Sequence, residues 1–310
     1  MNIADIARSL NYEYAGNEDE NISGVSFPDM AGENDIAIVK REPEIFATRA
    51  RVVLTEPRIV ITDKSMLYTH EPIYVSAVRI AGLLIMNGER EDYSQPVSYK
   101  PVCNFMAGED INFGENVSVG VYSTIGNRVK IGSNSIIEPG VFIGSDVVIG
   151  EGVIIHSGAK IGAASFYHYE DNNILKTFCG TGTVIISDNA EIGYNTAIQR
   201  GSFGNTFIGH DTKIGNCVDI GHDVFIGNNC KIVSQVGIAG NAVIGDGVKI
   251  FGQSGVANFV RIGNGAKIMA KTLVTKNVKP GGVVSSGIFS REHAKNLRLH
   301  AELEKLSEVM

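Results

Sequence analysis

The 310-residue chain has no apolar run of the roughly 18 residues that a membrane-spanning helix requires. Its N-terminus lacks a basic region followed by an apolar one, so no export signal is expected. Only four cysteines occur, Cys103, Cys179, Cys217 and Cys230. Their spacing suits neither a zinc clip nor a disulfide framework, and they read as reduced thiols of a cytoplasmic protein. Tryptophan is absent. Also missing are a glycine-rich phosphate loop, a serine nucleophile elbow and any His/Cys/Asp cluster with metal-ligand spacing. No metal and no tightly bound cofactor is therefore expected. The net charge of −7 speaks against nucleic acid as a partner. The 36 glycines lack the every-third spacing of collagen.

What is present is a beat of six. Small or apolar residues recur at Phe113, Val119, Ile125, Ile131, Ile137, Ile143, Ile149, Ile155 and Ile161, and most of the isoleucines are followed by glycine. The beat returns at Ile186, Ile192 and Ile198. It is offset once more over Gln199–Asn205, then runs from Ile208 through Ile214, Ile220, Ile226, Ile232, Ile238, Ile244, Ile250, Val256, Ile262 and Ile268 to Val274. A period of six fits neither a helix nor an isolated strand. It fits a chain that makes a short strand, turns and repeats, with one residue per unit pointing inward. Three units close a triangular coil, and coils stack at about 4.8 Å. The fold class expected is mainly β: a parallel β-helix with glycines relieving its tight corners.

Three regions are expected. Residues 1–100 form a small α/β domain, a candidate for binding the nucleotide of an acceptor. It reads as a helix over residues 1–10, short strands at 22–27, 35–39, 51–54, 58–62 and 73–75, and a helix over 76–87, followed by a polar linker containing Pro96 and Pro101. Residues 101–280 form the β-helix. Residues 281–310 form a helical extension beginning near Ser290, with Leu299, Leu303, Leu306 and Met310 on one face. The N-terminal domain and this helix are the expected caps of the open coil ends. The flat sides of a triangular prism suggest a cyclic homotrimer with clefts between subunits. Residues 163–184 break the beat, and Phe166, Tyr167 and His168 within them read as a surface loop contributing to substrate or donor binding.

Histidine is scarce along the repeats. His156, His210 and His222 each lie near a corner. His210 and His222 are 12 residues apart and so belong to different edges. Asn258 lies two full coils beyond His222 on the same edge, with Gly240 between them leaving space for a ligand. An imidazole here can act as general base, with Asp223 as a candidate to orient it, and N–H groups at corners such as Gly240 can stabilise an oxyanion.

The whole arrangement resembles the UDP-3-O-acylglucosamine N-acyltransferase family of lipid A synthesis, whose members are left-handed β-helices of hexapeptide repeats. The resemblance rests on residues 47–54, the break in the solenoid, residues 192–201, the stretch Asp219-Ile220-Gly221-His222-Asp223-Val224-Phe225-Ile226-Gly227, and Ser285-Ser286-Gly287-Ile288 before a helix. It implies that His222 is the base that deprotonates a sugar amine attacking an acyl thioester. It implies a phosphopantetheine thioester donor, on acyl carrier protein or coenzyme A, with Arg291, Lys295 and Arg298 suited to an acidic carrier. It implies a homotrimer with the acyl chain between subunits. Two positions depart from the family. Asn258 stands where a second histidine is usual. The segment Ile36–Glu44 lacks the two aromatics that stack on uracil. The expected acceptor is thus a nucleotide-activated amino sugar. An acetyl-coenzyme A-dependent sugar acetyltransferase, a γ-carbonic anhydrase-like solenoid and a non-catalytic ligand-binding or scaffold β-helix are the alternatives.

Overall fold

The computed structural model describes residues 1–40, 42–56, 64–88, 100–102 and 105–286, together with residues 292, 294, 295, 298, 301 and 302. The C-terminal helix that the sequence suggests falls largely outside them, as do Arg291 and the strand expected at 58–62.

The N-terminal unit opens with α1 (Ile3–Leu10). The Asn2 side chain accepts the Asp5 N–H at its start, and Asn11 ends it in the left-handed region at φ 56°. Five strands follow: β1 (Glu13–Ala15), β2 (Gly24–Ser26), β3 (Asp35–Ile38), β4 (Val52–Thr55) and β5 (Ser65–Tyr68). They form one sheet in the order β1-β5-β4-β3-β2, parallel except for β1. A short α2 (Glu42–Ala47) and a long α3 (Ile73–Met86) complete the unit. The strand expected at 73–75 is the first turn of α3. Ile73, Ala77, Ile80 and Leu84 recur at helical spacing and are all buried against the sheet. Three β-type residues in a row misrepresent a helix whose apolar stripe only begins there.

From Phe105 the chain winds as the triangular solenoid. Register partners lie 18 residues apart, as in Thr124 with Phe142 and Lys130 with Val148. Three sheets result, of ten, eight and nine strands. Face I carries inward Ile125, Ile143, Ile161, Ile198, Ile220, Ile238, Val256 and Val274. Face II carries Ile131, Ile149, Ile186, Ile208, Ile226, Ile244 and Ile262. Face III carries Ile137, Ile155, Ile192, Ile214, Ile232, Ile250 and Ile268. All of these are buried, and full burial of such a side chain contributes about 1.5–3 kcal/mol.

Two expectations about the repeat need correction. Each hexapeptide sends two residues inward, not one. Val129, Val147, Val218, Val224 and Val248, two positions before a ladder residue, are as buried as the ladder itself. Where that position is polar, its hydroxyl finds a carbonyl: Ser135 donates to Gly150 O at 2.9 Å and Thr212 to Gly227 O at 2.8 Å. Nor do the glycines after the ladder residues relieve corner strain. A Cβ on Gly126 would lie 2.4 Å from the Ser145 nitrogen of the next coil, so these glycines permit close stacking. The left-handed corner falls two residues later, on residues such as Asn134, Asp211, Asp223, Asn241 and Phe259, and it is there that Gly152 and Gly247 do relieve the strain.

The break in the repeat is a β-hairpin rather than an irregular loop. Strands Tyr167–Asp171 and Ile174–Phe178 pair antiparallel. Asn172 and Asn173 both have positive φ, the turn that two-residue hairpins favour. The hairpin leans on α3. Its Asp171 lies 3.7 Å from Arg79, and Phe178 and Phe203 of the solenoid join the core of the N-terminal unit. That unit therefore sits against the side of the solenoid rather than capping its first coil. Arg200 is buried below this junction and donates to the carbonyls of Ser145, Gly162 and Gly182, groups that an interrupted ladder would otherwise leave unsatisfied.

Candidate active site

His222 follows the face I strand Asp219–Ile220 and stands on the corner between faces I and II. Neither it nor Asp223 belongs to a strand, so the alternation that would point neighbours apart does not apply. Asp223 takes the left-handed corner at φ 57°. Its carboxylate oxygen Oδ2 turns back to within 2.8 Å of His222 Nδ1.

The loop formed by the second offset of the repeat fixes that carboxylate. The backbone N–H of Ser202 donates to Oδ2 at 2.9 Å, and those of Phe203 and Gly204 donate to Oδ1 at 3.3 and 2.7 Å. A carboxylate surrounded by donors is an acceptor, so the tautomer it selects in the neutral imidazole has Nδ1–H toward it and Nε2 as the free acceptor. The tautomer follows from the loop.

The same tetrapeptide Ile-Gly-His-Asp occurs one edge away, and there His210 Nδ1 also lies 2.8 Å from Asp211 Oδ2. Local sequence thus makes the pair twice, and burial separates them. The side chains of His222 and Asp223 are 10% and 0% exposed, against 49% and 47% for His210 and Asp211. Tyr167 of the hairpin covers His222 edge-on, with ring centroids 5.5 Å apart. Burial, then the nearby Tyr74 and Asp223, push the Tyr167 phenol far up, so it stays neutral.

The corner column above His222 holds Gly240 and then Asn258, as the register of Ile220, Ile238 and Val256 requires. The space at Gly240 is filled by the imidazole itself rather than left for a ligand: a Cβ there would lie 2.6 Å from both Cε1 and Nε2. Asn258 is exposed beyond it.

A cavity of about 430 Å³ opens beside the pair, between the N-terminal unit and the solenoid. Phe27, Tyr74 and Phe259 supply aromatic walls, and Asp29, Lys40 and Arg261 supply charge. Asn241 and Asp223 lie on the floor. Lys40 Nζ stands 3.9 Å over the Tyr74 ring, and Arg261 pairs with Asp29 across the two units. Sequence reasoning missed these wall residues. One signal was available: Phe259 occupies the left-handed corner, where a bulky residue is unusual.

The other nominated residues are dispersed. Phe166 is 75% exposed and its ring packs on the exposed His168, whose Nδ1 lies 3.2 Å from Thr177 Oγ1. Alternation along the hairpin puts Tyr167 toward His222 and His168 on the opposite side. Lys295 and Arg298 are exposed, Lys295 lying 3.4 Å from Glu292. His156 lies on another edge between Glu138 at 2.8 Å and Glu191 at 3.0 Å, stacked on Tyr194. Burial alone would lower its pKa, but bonds to Glu191 and Glu138 outweigh that and raise it. No His/Cys/Asp/Glu cluster among the described residues could hold a metal, and none of their helices is long and apolar enough to cross a membrane.

The bacterial transferase hexapeptide (six repeats) family model matches residues 110–145. Those residues carry the hexapeptide repeat of that family, and the fold is the left-handed β-helix such repeats build. A UDP-3-O-acylglucosamine N-acyltransferase of Rhizobium johnstonii is 60% identical over 43 residues, 14% of this chain. The matched segment spans only 12% of that relative's length. Similarity to solved structures is broader. The Francisella novicida UDP-N-acetylglucosamine acyltransferase is 28% identical over 67% of this chain and 77% of its own, with a TM-score of 0.56. The Campylobacter jejuni UDP-N-acetylglucosamine acyltransferase is 25% identical over 61% of this chain and 72% of its own, with a TM-score of 0.55.

Proposed function

We propose that this β-helix protein transfers an acyl group from a phosphopantetheine thioester to the amine of a nucleotide-activated amino sugar. The observation that carries the reading is the buried His222–Asp223 pair, whose Asp223 lines an aromatic and charged cavity at the junction with the N-terminal unit. The named relatives act on UDP-linked sugars; three aromatic walls suit a base, and Lys40 and Arg261, set among the carboxylates of Asp29, Glu44 and Asp223, are the candidate phosphate contacts.

In the proposed reaction the sugar amine attacks the thioester carbonyl carbon, forming a C–N bond as Nε2 of His222 takes the amine proton. The Asp223 carboxylate stabilises the imidazolium that results. The Gly240 N–H, which has no hydrogen-bond partner among the described residues, stabilises the oxyanion. Collapse breaks the C–S bond, and the departing thiolate takes the proton from Nε2. An amide and a free thiol are the products. The acceptor lies in the 430 Å³ cavity, with its anionic group displacing Asp29 from Arg261. The carrier of the thioester is acyl carrier protein or coenzyme A, and the working unit is a homotrimer.

The test is a matrix of nucleotide amino sugars against acyl carrier protein and coenzyme A thioesters of several chain lengths, read by product mass. One pair should give an amide product whose formation His222→Ala slows by ~10²–10⁴-fold. Turnover of acetyl-coenzyme A alone would favour a short-chain acetyltransferase, and no product from any pair would favour a binding role.

A further inference from the structure

Face III is chemically unlike the other two. Lys213, Lys231, Lys249 and Lys267 hold the same outward position in four consecutive coils and are direct register partners. Strands about 4.8 Å apart line these four side chains up over about 14 Å. All are exposed. Lys213 donates to the Asn189 carbonyl at 2.9 Å and stands 3.7 Å from Glu191. No hydrogen bond or ion pair engages the side chains of the other three among the described residues. Like charges stacked across strands repel, so the row opposes folding, and the core does not need it: the inward isoleucines of the same strands hold that. The matching row on face I reads Asp219, Gly237, Gly255, Leu273, with no such repetition.

Two residues after Lys231, Lys249 and Lys267, just past the end of each strand, lie the partly exposed Val233 and Phe251 and the exposed Met269. A rigid, flat face thus bears a row of cations flanked by a row of apolar side chains. We infer that face III docks on the anionic headgroups of a lipid bilayer. The lysines would meet the charge, and the apolar row the boundary beneath. A straight row on a flat face matches an extended planar partner. The placement is also open to traffic: in a triangular prism, the corner between faces I and II, where His222 stands, points away from face III. The inference is independent of the acyl-transfer reading.

Flotation of the full chain with vesicles tests it. The protein should float with vesicles of phosphatidylcholine and phosphatidylglycerol in equal parts, not with phosphatidylcholine alone, and salt should release it. Lys231→Glu with Lys249→Glu should weaken partition by ~30-fold or more. Lys276→Glu with Lys279→Glu, at the end of the solenoid, should leave it unchanged. Should the charge reversal fail to fold, Lys231→Gln with Lys249→Gln should show a smaller loss in the same direction. A wild-type chain that ignores anionic vesicles, including one that binds an acidic protein instead, overturns the inference. So does a face III variant that floats like wild type.

Discussion

The imidazole of His222 lies against the α-carbon of Gly240, one coil further along the same corner. A methyl group at residue 240 would come within 2.6 Å of Nε2. The residue whose absent side chain admits the ring is thus 18 positions away in sequence and adjacent in space. Gly240→Ala should therefore displace the imidazole while leaving both inward ladders untouched. We expect acyl transfer to fall ~10²-fold with the melting temperature nearly unchanged. Full activity would mean that the ring position is not critical.

Tyr167 contributes its ring rather than its hydroxyl. The phenol is held neutral by burial, and its contacts with His222, Phe178 and Phe203 are all edge-on. Tyr167→Phe should keep near wild-type kinetics. Tyr167→Ala should expose His222 and lower kcat. Equal loss in both variants would assign the hydroxyl a direct role.

Arg261 is expected to act on the acceptor. Its guanidinium pairs with Asp29 at the cavity wall and is the better placed of the two cations to exchange that partner for an acceptor phosphate. Arg261→Ala should raise the acceptor KM ~10-fold with kcat little changed. A loss confined to kcat would move Arg261 into the chemistry.

His156 makes stability depend on pH. Its folded pKa is raised: burial, the largest influence, works against the charge, but hydrogen bonds to Glu191 and Glu138 prevail. A raised histidine pKa gives stability that is complete below the unfolded value and is lost as pH climbs through the folded one. Glu138 and Glu191 are both lowered. For Glu138, burial is outweighed by His156 and Ser157; for Glu191, His156 dominates. Their contribution is complete above the unfolded carboxylate value and is lost as pH falls through the folded one. The melting temperature should decline as pH rises above the unfolded histidine value of about 6.5, and His156→Gln should flatten that decline. Parallel curves for the two proteins would contradict the assignment.

The solenoid was legible because its period is a geometric constant: 18 residues per coil place Ile220, Ile238 and Val256 in one line whatever lies between. The same constant placed His222, Gly240 and Asn258 on one corner, and His210 on another. The second inward position escaped notice because it alternates among Val, Ala, Ser, Thr and Cys, which share size but not polarity. The cavity was not legible. Phe27, Lys40 and Tyr74 belong to a unit whose docking depends on the hairpin at 167–178, and no local pattern encodes an angle between two units. The difference between His222 and His210 was equally hidden, since both sit in the same tetrapeptide and only Tyr167 and the loop at 202–204 tell them apart.

The most direct test of the account is the rate of acyl transfer by His222→Ala, measured with the acceptor and thioester pair that the substrate matrix selects. Circular dichroism and sedimentation should confirm an intact fold and assembly. The account predicts a fall in kcat/KM of ~10²–10⁴-fold with the melting temperature preserved. A correctly folded variant that turns over at the wild-type rate would contradict it.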